Sequence, residues 1–262
     1  MVKKILSIVL WVVTGAAIIT LFAFARKSYL GSPLKGINLN MERVHEAGFV
    51  EDDSIIAQAK SISGMERHAA IADIDMMQLH RMLDENPWIA RSSVYIDLND
   101  TLRLTAAEYE PVLRVYNQEG RSVYITREGV MIPSCPRYTP HLIIASGNYG
   151  FATPRSNDNI SDSLYLNSGL AEALAIAQAI EKEPFLQEHI GQIYRNNNNE
   201  FEVIVNNLPI QVIVGDTCGI DNKLFRLKAL LEKYQGTTEL EAYQSMSLKY
   251  KNQIVCTKKI KL

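Results

Sequence analysis

The chain opens on an unbroken apolar run and then changes to short segments of alternating or helical periodicity. Residues 5–25, ILSIVLWVVTGAAIITLFAFA, carry no charge. About 20 such residues cross a bilayer as a helix, and a helix satisfies its own backbone hydrogen bonds in hydrocarbon. Residues 35–44, KGINLNMERV, alternate Ile37, Leu39 and Met41, the period of a strand. SIIAQAKSI (54–62) puts Ile55, Ile56, Ala59 and Ile62 on a helical face, with Asp52 or Asp53 as cap and Gly64 as stop. MMQLHRMLDEN (76–86) follows Asp75, a second cap, and places Met76, Leu79 and Leu83 on one side. Pro87 stops it, because the residue before a proline is driven out of the helical region. Strands SSVYIDL (92–98) and TLRLTAAEY (101–109) flank the turn-like Asn99-Asp100. The predicted order is β-α-α-β-β, with two helices over one face of a three-stranded sheet. Val94, Ile96 and Leu98 are expected beneath them, alternating with Tyr95 and Asp97, and Trp88 anchors the helix–sheet junction.

The remainder reads as β-rich with two helices, so the fold class is α+β. VLRVY (112–116), SVYIT (122–126) and GVMIP (129–133) are short extended runs. Residues 134–167, rich in Pro, Ser, Asn and Asp, predict a long irregular connection. SGLAEALAIAQAIEK (168–182) is helical, with Leu170, Leu174, Ala177 and Ile180 on one side. IGQIYR (190–195) and EFEVIVNN (200–207) flank Asn196–Asn199 as a hairpin with an Asn turn. A strand PIQVIVG (209–215), a helix NKLFRLKALLEKY (222–234) and a last strand or hairpin SMSLKYKNQIVCTKK (245–259) complete the pattern.

Composition narrows the function classes. Of 262 residues 47% are hydrophobic, which suits a folded chain. With 27 basic and 29 acidic residues there is no basic excess to signal nucleic-acid binding. Lys3 and Lys4 precede the apolar run and Arg26 and Lys27 follow it, so charge is almost balanced. A short N-terminus inside and a large exported part is the simple topology. Ala23-Phe24-Ala25 resembles a signal-peptidase site, but cleaved apolar regions are usually about 7–15 residues long, which favours an uncleaved anchor. Cys135, Cys218 and Cys256 form no C-x-x-C pair and read as small buried thiols. His45, His68, His80, His141 and His189 lack ligand spacing. Asp73-Ile-Asp75 resembles a metal-binding pair, yet Asp75 is better explained as a cap. Gly215, Gly219 and Lys223 lack the spacing of a phosphate loop, and no G-x-S-x-G occurs. The search thus yields no catalytic, metal, cofactor or small-molecule motif, which lowers the odds of an enzyme but leaves open a triad assembled from distant residues. The alternating terminal strand suits a sheet edge open to a partner's strand, or one blunted by its own lysines.

Four stretches together resemble the FtsQ/DivIB family of bacterial cell-division proteins. NPWIARSSVYIDLNDTLRLTAAEYEPV (86–112) is similar to the family's helix end, Pro-Trp and strand, with Pro87, Trp88, Val94, Thr101, Leu102, Glu108 and Pro111 in register, and implies that these, except Thr101, and Leu104 are structural residues of the POTRA domain. YITREGVMIP resembles its turn at Gly129. PIQVIVGDTCGIDNKLFRLKALLEKY resembles its strand–Gly–loop–helix, and MSLKYKNQIVC its closing strand. Residues 134–167 match poorly. The resemblance implies a cytoplasmic tail and transmembrane helix (1–27), a linker (28–33), a POTRA domain (34–110) and a β-domain (111–262). It implies a non-enzymatic inner-membrane connector of the divisome at the septum. Its partners would be FtsB/DivIC-like and FtsL-like bitopic proteins and other divisome components, and it would help regulate septal peptidoglycan synthesis. The partner strand would add along Ser247, Leu248, Lys249, Tyr250, Lys251, Asn252 and Gln253, beside Arg226 on the preceding helix. A translocation or envelope-assembly component containing a POTRA domain is the alternative.

Overall fold

The computed structural model describes residues 2–43, 47–152, 154 and 158–259, with backbone alone before Leu10. Val44 and His45, named in the sequence reading, lie outside the described residues, as do four positions of the 134–167 connection. The chain divides into two compact units.

The first unit contains α1 (Val2–Leu30), β1 (Gly36–Glu42), α2 (Asp52–Ser63), α3 (Met76–Asp84), β2 (Ile89–Ile96) and β3 (Thr101–Glu108). From Leu10 onward α1 exposes apolar side chains on all sides, Trp11, Phe22 and Phe24 among them. A helix apolar all round belongs in a protein core or a bilayer, and Leu10–Leu30 is long and apolar enough to cross one. It is compatible with a single-pass membrane protein. The helix runs through Lys27 to Leu30, so it includes the first residues expected to form the linker.

The sheet of this unit has the order β1-β3-β2, with β1 parallel and β2 antiparallel to β3. Ile55 and Ala59 of α2 and Leu79 and Leu83 of α3 are buried, as are Val94, Leu102 and Leu104 in the strands. Asp75 caps α3 as its position predicts, accepting from the Gln78 N–H at 2.9 Å. The cap of α2 differs from the expectation. Glu51 is the N-cap residue, its side chain making no capping bond to the helix N–H groups, and Asp52 and Asp53 occupy the first turn, where negative charge still opposes the helix dipole. Gly64 ends α2 in the left-handed conformation, φ 63°. Leu98 is not beneath the helices. It is 95% exposed because β2 ends at Ile96, and the Asp97 carboxylate turns the chain by accepting from the N–H groups of Asn99 and Thr101. Trp88, just past Pro87, is half-buried.

The second unit contains β4 (Pro111–Tyr116), β5 (Ser122–Thr126), β6 (Met131–Pro133), β7 (Ile143–Gly147), α4 (Leu170–Glu181) and α5 (Pro184–His189). It continues with β8 (Ile190–Arg195), β9 (Phe201–Val205), β10 (Gln211–Gly215), α6 (Ile220–Tyr234), β11 (Tyr243–Ser247) and β12 (Val255–Lys258). Pro111, expected as a structural POTRA residue, begins β4 and pairs with Thr126, so it belongs here. Among the described residues nine strands form one mixed sheet, β12-β11-β10-β9-β8-β7-β4-β5-β6. Helices α4, α5 and α6 build the core with Leu113, Val115, Ile193, Val203, Val212 and Met246 of the sheet.

Two elements depart from the sequence expectation. β7 lies inside the supposed irregular connection, parallel to both β4 and β8. α5 adds a third helix, six residues long with Pro184 at its start and one buried side chain, Leu186. That is too short for a periodic signal. At Gly129, φ 82°, an added Cβ would lie 2.9 Å from Ile160 Cγ1, so the β5–β6 turn requires glycine.

Candidate functional site

The two margins of the nine-stranded sheet differ. At β6 the backbone is covered, because Met131 N–H donates to Asp158 O at 2.8 Å and Ile160 N–H to Gly129 O at 2.9 Å. At the other margin β12 pairs with β11 alone, in the register Ser245↔Thr257 and Ser247↔Val255. Among the described residues its outer backbone groups have no strand partner. Val255, Thr257 and Lys258 are exposed. Such an edge is a template for strand addition.

The residues expected to form that edge lie elsewhere. Ser247 ends β11, and Leu248 to Ile254 form the connection into β12. Leu248 is fully buried in the core, its N–H donating to Ile213 O at 2.8 Å. Asn252, at φ 58°, reverses the chain in the left-handed region that asparagine tolerates. The terminal segment is thus a hairpin, the second of the two forms the pattern allowed, with β12 rather than Lys249–Gln253 as its free edge.

Arg226 explains why this turn is ordered. Its Nη1 donates to Tyr250 O at 2.8 Å and Gln253 O at 2.5 Å, and Nη2 to Leu248 O at 3.1 Å. Nε donates to Asn222 O, one turn earlier in α6, at 3.3 Å. Carbonyls that converge in a turn lack ladder partners, and a cation with several N–H groups satisfies them together.

A charged cleft of ≈ 220 Å³ adjoins the turn, lined by Asn199, Glu200, Gly215, Asp216, Lys223 and Lys249. Its charges are mutually paired. Lys249 reaches Glu200, which holds the ammonium above the usual lysine range. The buried Lys223 donates to Asp216 O at 2.9 Å and Asp216 Oδ1 at 2.7 Å, holding that carboxyl below its ordinary pKa. The stem of Lys249 lies on Gly215, where a Cβ would meet its Cγ at 2.7 Å. The cleft therefore ties the β8–β9 turn, the start of α6 and the terminal hairpin together.

What remains open is apolar. Tyr250 is 51% exposed, Val255 42% and Phe225 63%. Phe225 was missed in the sequence; its signal is an aromatic residue off the helix stripe set by the buried Leu224 and Leu227. Lys251 is exposed beside Tyr250. Cys256 is half-buried in β12 and Cys135 buried, but Cys218 is exposed, against the expectation of burial. Among the described residues no three His, Cys, Asp or Glu side chains form a group that could hold a metal ion.

The family model described as FtsQ/DivIB, C-terminal related, matches residues 110–257. That is more than half of the chain and reaches into β12. No curated protein matches the sequence.

Proposed function

This chain belongs to the FtsQ/DivIB C-terminal related family, and from that membership, which points to a role in cell division, we propose a non-enzymatic connector of the divisome. Its α1 helix anchors it in the inner membrane with the N-terminus cytoplasmic and the remainder periplasmic. The first unit is a POTRA domain, a reading supported by its β-α-α-β-β order. The second presents β12 to an FtsB/DivIC-like bitopic protein, which adds a strand there. An FtsL-like protein joins the assembly, and the complex helps control septal peptidoglycan synthesis.

The observation that carries this reading is the contrast between the covered β6 margin and the open β12 margin, which follows the turn holding the exposed Tyr250. Backbone hydrogen bonds would supply much of the affinity and the apolar side chains the selectivity. No step of chemistry is required, and no nucleic acid or small-molecule substrate enters.

Depletion in the host is the test. Cells lacking the protein should grow as filaments whose division sites do not constrict. Normal septation without a compensating paralogue would overturn the assignment.

A further inference from the structure

We propose that Arg226 and Lys249 are positioning residues, a two-point clamp that holds the Leu248–Gln253 turn in one conformation and so presents Tyr250 and the β12 edge already formed. The inference deepens the docking reading above and rests on it for its functional consequence. The clamp itself is a property of the free chain.

The donor inventory carries the argument. A guanidinium has five N–H donors and no acceptor. In Arg226 four hydrogen bonds run to acceptors of this chain: Asn222 O, Leu248 O, Tyr250 O and Gln253 O. An incoming carboxylate could gain a bidentate contact only by releasing turn carbonyls. Arg226 therefore serves the partner site through the turn, with a single Nη2 N–H left over. Lys249 is committed in the same way. Its ammonium is held by Glu200 at the β8–β9 turn and its stem covers Gly215. Between the two pins, Tyr250 is left half exposed with its backbone carbonyl fixed and its side chain outward.

The consequence is pre-organisation. A six-residue turn carrying Lys251 and a left-handed Asn252 would otherwise sample many conformations. A partner would then have to order it on binding, which weakens affinity and slows association. The clamp removes that requirement before the partner arrives.

The test uses the full chain in nanodiscs and measures amide hydrogen exchange. In Arg226→Met, which keeps the apolar stem and removes the donors, amides of residues 249–258 should exchange at least about 10-fold faster, the size expected for loss of a charge-assisted hydrogen bond. Amides of β9 should not change, and Arg226→Lys should recover part of the protection. Unchanged exchange in Arg226→Met would overturn the clamp. If exchange in β9 rises as well, Lys249→Met decides: acceleration confined to residues 249–258 supports the clamp, and no acceleration overturns it. The binding arm titrates the soluble part of the host's FtsB/DivIC-like protein. Arg226→Met should lower affinity about 10-fold, mainly through the association rate, with the salt dependence of the wild type. A flattened salt dependence would make Arg226 a direct contact and sink the positioning role. Absence of binding by the wild type, with faster exchange in Arg226→Met, would remove the docking reading and leave the clamp standing.

Discussion

Replacing Tyr250 by alanine tests the proposed docking role apart from folding, because its side chain is half exposed while its backbone carbonyl is held by Arg226. The residue is 51% exposed. A tyrosine covers roughly 150–250 Å² when fully buried, so about 100 Å² is left for a partner to cover. At about 25 cal/mol per Å² that is about 2.5 kcal/mol, or roughly 70-fold in Kd. Area converts incompletely in protein association, so the expected loss is about 10- to 70-fold. Stability should hardly move. The turn is held at the Tyr250 carbonyl by Arg226, which alanine retains, and surface substitutions away from special features stay within about 0.5 kcal/mol. Calorimetric titration with the periplasmic part of the FtsB/DivIC-like protein reads the first quantity and thermal unfolding the second. A Kd within twofold of wild type would refute the assignment of Tyr250. A large fall in Tm would show that its side chain supports the fold, contrary to the account.

Two further predictions concern the first unit. Leu79→Ala removes a fully buried side chain of α3 and should cost about 3–5 kcal/mol, seen as a lower urea midpoint by Trp88 fluorescence in a Trp11→Phe background; a loss below about 1 kcal/mol would contradict the packing. Asp97 accepts from the Thr101 and Asn99 N–H groups and from Arg103, and these bonds hold its pKa below the usual carboxylate value. Because the folded pKa lies below the unfolded one of about 3.9, its contribution is complete above that value and fades as pH falls through the folded pKa. NMR titration should find Asp97 still ionised at pH 4, with the 97–101 turn loosening only in stronger acid, and a titration midpoint above 4 would refute the turn geometry.

Features written in local chemistry were legible from residues alone. Asp75 caps α3, Gly64 ends α2, and Asn196 makes the β8–β9 turn through its side-chain oxygen, which accepts from the Asn198 and Glu200 N–H groups. Features set by distant partners were not. β7 is short and is fixed by parallel pairing with β4 and β8, and its few apolar residues are lost among the Pro, Ser and Asn around them. The terminal segment reads as alternating through Lys249–Gln253. What bends it is a guanidinium on α6, whose nearest turn acceptor is Leu248 O, 22 residues along the chain. The structural surroundings of the expected site residues were consequently not legible in the segment itself. Leu248 is core, Arg226 and Lys249 are bonded within the chain, and Phe225 is exposed on α6.

The central claim is that β12 is the edge a partner strand occupies. Photo-crosslinking in dividing cells tests it directly, with benzoylphenylalanine placed at Thr257 in β12 and, as a control, at Ile132 in the covered β6 margin. The account predicts an adduct with the FtsB/DivIC-like bitopic protein from position 257 and none from 132. An adduct with that protein from position 132 and none from 257 would contradict it.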